Sequence, residues 1–222
     1  MPMKTSLRID WATHDAAKYA CETWHYSKCL PSGKTVKCGV WEDDKFVGVV
    51  IFALGANGEI NSMFGPTAEL ARVALSKHQV PVTKVLSVCL NKLKKLCPKL
   101  NAVISYADLD RHEGTIYKAG NWIEQCVVHN PWLRLHGKPI HPRTAFARYG
   151  TRSIGWLRAN VDPKAEYIKD SKGKKRFVWF YDPVKRAGSK DNVASGFQSE
   201  EGGATPIPAL QIKKAELLHG GG

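Results

Sequence analysis

No apolar run in this chain approaches the roughly 20 residues that a membrane-spanning helix requires. The first residues, Met1-Pro-Met-Lys-Thr-Ser6, lack the apolar core of a signal peptide. Both absences lead us to expect a soluble, cytoplasmic protein with no membrane contact. No Cys-x-x-Cys pair occurs. Cys21, Cys29, Cys38, Cys89, Cys97 and Cys126 are scattered, so a structural zinc site has no spacing to support it and buried, reduced thiols are expected. Walker-type loops, internal repeats and heptads are missing too, which argues against a P-loop nucleotidase, a solenoid or a coiled coil. Acidic residues are scarce: 20 Asp and Glu stand against 33 Lys and Arg, a formal charge of +13.

With 222 residues, 43% of them apolar, the chain suits one globular domain, for which we take residues 1–186. The surplus charge is unevenly distributed. From Arg134 to Arg186 fourteen Lys and Arg face four Asp and Glu, with Trp156, Tyr167, Trp179 and Tyr181 interleaved. Clustered on one face, such charge is a nucleic-acid footprint; dispersed over loops it is a solvated surface. The expected phosphate contacts are Arg143, Arg148, Arg152 and a basic turn holding Lys172, Lys174, Lys175 and Arg176. From Ala187 onward Gly, Ser, Ala, Pro and Glu dominate, and residues 187–222 read as a flexible tail.

Alternation and punctuation predict a first strand, Leu7 to Trp11, then a helix through Trp24 capped by Thr13. The loop from His25 to Gly33 leads into two strands, Thr35 to Glu42 and Lys45 to Leu54, joined as a hairpin at Asp43-Asp44. After a Gly-rich loop over 55–66 come a strand, Glu69 to Leu75, and a helix capped by Thr83 and ended by Pro98. A buried strand then runs from Ala102 to Tyr106. The stretch 127–155 reads as irregular, and Phe177 to Tyr181 as a last strand. This order predicts an α/β (α+β) fold, a mixed twisted sheet flanked by helices.

The densest chemistry lies at strand ends, where α/β folds bind ligands. Ser105-Tyr-Ala-Asp108 is followed by Tyr117-Lys-Ala-Gly120-Asn-Trp122. Asp108 can orient a His, accept an amine proton, join a His at a metal, or simply cap the following helix. Gly120 is expected as a left-handed helix ending. His25-Tyr26-Ser27 is a second polar cluster, with His25 a proton acceptor near neutral pH and Tyr26 a donor or a stacking surface. Arg72, alone in an apolar strand, needs an anion: Asp108, Glu69 or a substrate phosphate. The loop His78-Gln-Val-Pro81 precedes a helix start, where anions bind, yet has no glycine to let a pyrophosphate approach. Ser27, Arg72, His78, Gln79 and Thr83 are the candidate donor contacts.

Taken together, His25-Tyr-Ser27, Gly33-Lys-Thr35, Gly39-Val-Trp41, the strand Glu69-Leu-Ala-Arg72-Val-Ala-Leu75, Ser105-Tyr-Ala-Asp108 and Tyr117-Lys-Ala-Gly120-Asn-Trp122 resemble the Mom family of bacteriophage DNA-modification proteins. The similarity runs from about Trp24 to Ala187. It implies a GNAT-like acyltransferase fold acting in the host bacterial cytoplasm. The implied reaction converts adenine in double-stranded DNA to a carbamoylmethyl (acetamido) derivative, shielding phage DNA from restriction. His25, Tyr26, Arg72, Ser105, Asp108 and Tyr117 carry over as site residues, with Tyr117 protonating the leaving group and Tyr26 stacking on an extruded base. An iron associated with the family would take His25 and Asp108 as ligands. The donor is left open between glycyl-tRNA, which would make tRNA a second partner, and an acyl coenzyme A. The alternatives are an ordinary N-acetyltransferase of a small-molecule or protein amine, and a DNA-binding protein without catalysis.

Overall fold

Thr13 opens the first helix as the sequence predicts, its hydroxyl accepting the Ala16 N–H at 3.2 Å. A computed structural model describes residues 5–55, 58–129, 132–168 and 172–186, and leaves the side chain of Arg143 undescribed. The expected tail, 187–222, lies outside the described residues. Strand β1 (Leu7–Trp11) and helix α1 (His14–Trp24) are followed by β2 (Thr35–Glu42) and β3 (Lys45–Leu54). The hairpin between β2 and β3 turns on Asp43 and Asp44, both left-handed at φ 46° and 61°, which matches the right-handed twist of the flanking strands.

Next come α2 (Gly58–Phe64), β4 (Thr67–Leu75), α3 (Val82–Leu96), β5 (Ala102–Asp108), α4 (Thr115–Ala119) and β6 (Ile123–Val128). The chain then makes an excursion through β7 (Trp132–Leu135), β8 (Lys138–Ile140), α5 (Pro142–Tyr149), α6 (Ile154–Asn160) and β9 (Glu166–Ile168), and returns in β10 (Lys174–Phe180). A seven-stranded sheet has the order β1-β2-β3-β4-β5-β10-β6, and a three-stranded sheet the order β8-β7-β9. All pairs are antiparallel except β4 with β5. The expected mixed sheet flanked by helices is therefore what the chain forms.

Helices sit on both faces. Against α3 and α4 pack Val50, Phe52, Leu70, Val103 and Phe177. On the other face α1 covers Val49, Ile51 and Ala74, and α2 covers Ala102, Ile104 and Val178. The three-stranded sheet has its own core of Leu133, Leu135, Ala145, Leu157 and Ala165. Fully burying side chains of this size stabilises by about 1.5–3 kcal/mol each.

Five local expectations are corrected. The Gly-rich loop 55–66 contains α2, and the irregular stretch 127–155 contains β7, β8 and α5, whose register depends on β9 thirty residues on. Helix α3 begins one residue before Thr83 and is capped by Pro81, so Thr83 is not a cap. Asp108 ends β5 rather than capping α4, whose N-cap is Gly114 at φ 78°. A Cβ there would meet the Phe177 ring at 2.5 Å, so glycine is required for space as well as conformation. Gly120 has φ −86°, and the left-handed residue is Asn121 at φ 59°. The cysteines are free, but only Cys21, Cys38 and Cys89 are buried, while Cys29 and Cys126 are exposed.

Candidate functional site

Strands β4 and β5 pair in parallel only through Thr67–Ala102, Ala68–Val103 and Glu69–Ile104, and then part. Where the ladder stops, the Ser105 hydroxyl takes over, 2.9 Å from the Leu70 carbonyl and 2.8 Å from the Tyr117 hydroxyl. Both side chains are buried, and Tyr117 is stacked on Phe177 with ring centroids 4.9 Å apart. Ser105 has one proton for two acceptors. When it points to Leu70, Tyr117 donates to Ser105; when it turns to Tyr117, the phenol proton is free for the cleft. Burial raises the Tyr117 pKa against the lowering effect of the Ser105 bond, so the phenol stays protonated at neutral pH.

An extra residue in β4, Ala71, shifts the register between Ile51–Arg72 and Phe52–Leu70. Arg72 thereby lies beside Ile51, on the α1 face. Its expected anion is replaced by neutral partners. Nε donates to the Cys29 carbonyl at 3.1 Å and Nη1 to the Ala71 carbonyl at 2.7 Å. Arg72 thus ties the loop after α1 to the sheet.

That loop carries His25 and Tyr26. His25 ends α1, its N–H donating to Cys21 O at 3.2 Å. The Ser27 amide donates into His25 Nδ1 at 3.1 Å, and the Ser27 hydroxyl lies 2.8 Å from the same nitrogen. A fixed N–H aimed at Nδ1 assigns the ring proton to Nε2. Burial, then the charge of Arg72, His112 and Lys28, pulls the His25 pKa down to about 4. His25 is therefore a neutral donor at Nε2, a correction to its reading as a proton acceptor near neutral pH. Tyr26 stacks on His25 at 4.3 Å, and the Arg111 guanidinium lies 4.7 Å from its ring centre. Arg111 is in turn held by Asp108, Nε to Oδ2 at 3.3 Å. A base stacking on Tyr26 would have to displace one of these two neighbours.

His25, Tyr26, Arg72, Ser105, Asp108 and Tyr117 line one cleft of about 1550 Å³, and Arg152, Lys174 and Arg176 line it too. Ser27, His78, Gln79 and Thr83 do not. The expected anion site before α3 is already filled: the Glu42 carboxylate accepts Gln79 N–H at 2.8 Å and Val80 N–H at 2.7 Å. The basic turn divides as well, because it is part of strand β10. Lys172 and Lys174 are exposed, Lys175 pairs with Glu124 at 2.7 Å, and Arg176 is buried. Arg148 is exposed on α5, and Arg143 lies on the same helix. Sequence reasoning missed Glu59, Tyr106, Arg111 and Tyr167; Tyr106 was legible, because it shares a strand face with Ile104 and Asp108.

The donor set does not fit an iron. A neutral imidazole that gives Nε2 to a metal must carry its proton on Nδ1, where it would meet the Ser27 N–H head on. Asp108 is engaged by Arg111, and among the described residues no cluster of three His, Cys, Asp or Glu could hold a metal ion.

Among solved structures, an acetyltransferase of Bacillus subtilis in complex with CoA is similar at 12% identity, covering 80% of this chain and 99% of that one, with a TM-score of 0.44. A spermidine N-acetyltransferase from Vibrio cholerae in complex with CoA and spermine is similar at 10% identity, covering 78% and 95%, with a TM-score of 0.43. Comparison with curated proteins gives no match. The family model that matches is that of the Mom protein family, over residues 6–195. That span takes in both sheets, the parted strands and the cleft between them, and the chain belongs to the Mom protein family.

Proposed function

We propose that this protein is a transferase acting on the exocyclic amine of adenine in double-stranded DNA, giving the carbamoylmethyl (acetamido) base and so protecting phage DNA from host restriction. The observation that carries this reading is that one cleft holds both the proton-handling groups at the parted strands and the cations Arg152 and Lys174 of the basic third. Its volume of about 1550 Å³ exceeds the roughly 300–1,000 Å³ of ordinary small-ligand pockets, leaving room for a nucleotide and a donor together. The target base leaves the stack to reach it, at a cost of a few kcal/mol.

In the transfer, N6 attacks the donor carbonyl carbon, the new C–N bond forms and the bond to the donor's oxygen or sulfur breaks. His25 donates from Nε2 to the carbonyl oxygen as charge develops there. Asp108, released from Arg111, takes the proton from N6. Tyr117 gives a proton to the leaving group when Ser105 turns toward it. With a glycyl donor, the glycyl amine then attacks ring C6 and the original C6–N6 bond breaks, so that the old exocyclic nitrogen becomes the carboxamide. No atom is gained or lost in that rearrangement.

Both glycyl-tRNA and an acyl coenzyme A satisfy the transfer step. The Glu42 contacts before α3 support a donor that is not gripped by its pyrophosphate at that helix start. The test is mass analysis of nucleosides from DNA of cells making the wild-type protein or Asp108→Asn. Deoxyadenosine should gain a carbamoylmethyl group only with the wild type. Unmodified DNA alongside acetylation of a polyamine would transfer the assignment to the amine acetyltransferase reading, which Glu59 and Glu69 in the cleft favour.

A further inference from the structure

Arg176 is a cation stored in the wrong solvent. It is 8% exposed on β10, opposite Tyr106 of β5, and it lines the cleft. Its Nη2 donates to the Met63 sulfur at 3.8 Å, its guanidinium lies 5.7 Å from the Phe64 ring centre, and it shares a hydrogen bond with the Tyr106 side chain. Its Nε has no partner, and it forms no ion pair among the described residues. A thioether, an aromatic ring and a phenol do not replace the water that a buried guanidinium gives up.

Two further observations concern the same spot. Between Lys175 and Phe177 the register with β6 shifts, the partners being Val127 and Glu124, so β6 carries an extra residue opposite Arg176. Irregularities of this kind re-aim side chains beside functional sites. Lys174, two residues away and so on the same strand face, lines the same cleft. Lys175 points the other way and is paired with Glu124.

We infer that Arg176 and Lys174 form a recessed phosphate-binding subsite inside the cleft, separate from surface contacts to the DNA backbone. A phosphate oxygen would fill the open Nε of Arg176, and a second oxygen the adjoining guanidinium N–H, in the two-pronged geometry that arginine favours. Lys174 would supply a point charge at the mouth. The inference rests on reading the cleft as one that admits a nucleotide. The phosphate belongs either to the nucleotide that carries the target base or to the donor.

Calorimetric binding of 2′-deoxyadenosine, its 5′-monophosphate and coenzyme A to the full chain and to Arg176→Gln tests this. Phosphorylating the nucleoside should tighten binding at least tenfold in the wild type, and Arg176→Gln should erase that gain. Should coenzyme A alone bind, and lose at least tenfold in Arg176→Gln, the phosphate is the donor's. Arg176→Lys keeps the charge and should keep part of the gain, which serves if the glutamine variant does not fold. A wild type that binds nucleoside and monophosphate alike and shows no coenzyme A binding overturns the subsite, as does a gain undiminished in Arg176→Gln. Monophosphate binding through Arg176 in a protein that leaves DNA mass unchanged would remove the adenine-modifying reading and leave the subsite standing.

Discussion

Glu42 Oε1 accepts the Val80 amide at 2.7 Å, so the end of β2 stoppers the start of α3 with a carboxylate of the protein's own. Removing it leaves two amides without their acceptor. Glu42→Ala should cost about 1–3 kcal/mol in denaturant unfolding. The same variant should bind inorganic pyrophosphate more tightly than the wild type. Unchanged stability together with unchanged pyrophosphate affinity would show that Glu42 does not hold this loop.

His25 should stay neutral through the whole physiological range. Its folded pKa of about 4 lies below the ordinary 6.5, so between those values the unfolded chain holds a proton that the folded chain does not. The stability this group contributes is therefore complete above pH 6.5 and is lost as pH falls toward 4. Proton NMR of the His25 ring should show no titration between pH 5.5 and 8. His25→Gln, which can still donate, should retain more activity than His25→Ala; equal loss in both would restore the proton-acceptor role.

Ser105 and Tyr117 should separate structure from chemistry. Ser105→Ala strands the Leu70 carbonyl in the core and should destabilise by about 1–3 kcal/mol. Tyr117→Phe keeps the Phe177 stack and should fold nearly as well, yet lose modification. If Tyr117→Phe modifies DNA at the wild-type rate, the phenol is packing only.

Charge reversal along β10 should not act as a block. Lys172→Glu with Lys174→Glu should weaken DNA binding across all sequences and flatten the log–log salt slope by about two, one for each lost phosphate contact. Lys175→Glu, whose wild-type partner is Glu124, should leave that slope unchanged. A slope change as large in Lys175→Glu would mean that DNA competes for this lysine.

The hairpin at Asp43-Asp44, β1, and α1 with its Thr13 cap were legible because each depends on neighbours in sequence. The second sheet was not: β7 and β8 are four and three residues long, and the register of β7 is completed by β9, through Trp132–Ile168. Three prolines between 127 and 155 disguised it further. Among site residues, His25, Asp108 and Tyr117 were legible as chemistry, but the partners that set their behaviour were not. Ser27 fixes the proton on His25, and Arg111 holds Asp108. Arg176 was grouped with its neighbours because charge counting ignores the alternation of a strand, which sends Lys175 and Arg176 to opposite faces.

The excursion that carries the second sheet leaves the large sheet after Val128 and rejoins it at Lys174, and these two residues are ladder partners. Its two ends are therefore stitched side by side, whatever length of chain runs between them. Evolution can lengthen, shorten or replace such a cassette without disturbing the register of the catalytic sheet. Grafting residues 129–173 from one member of the family onto another is accordingly the natural way to exchange target preference while keeping the chemistry.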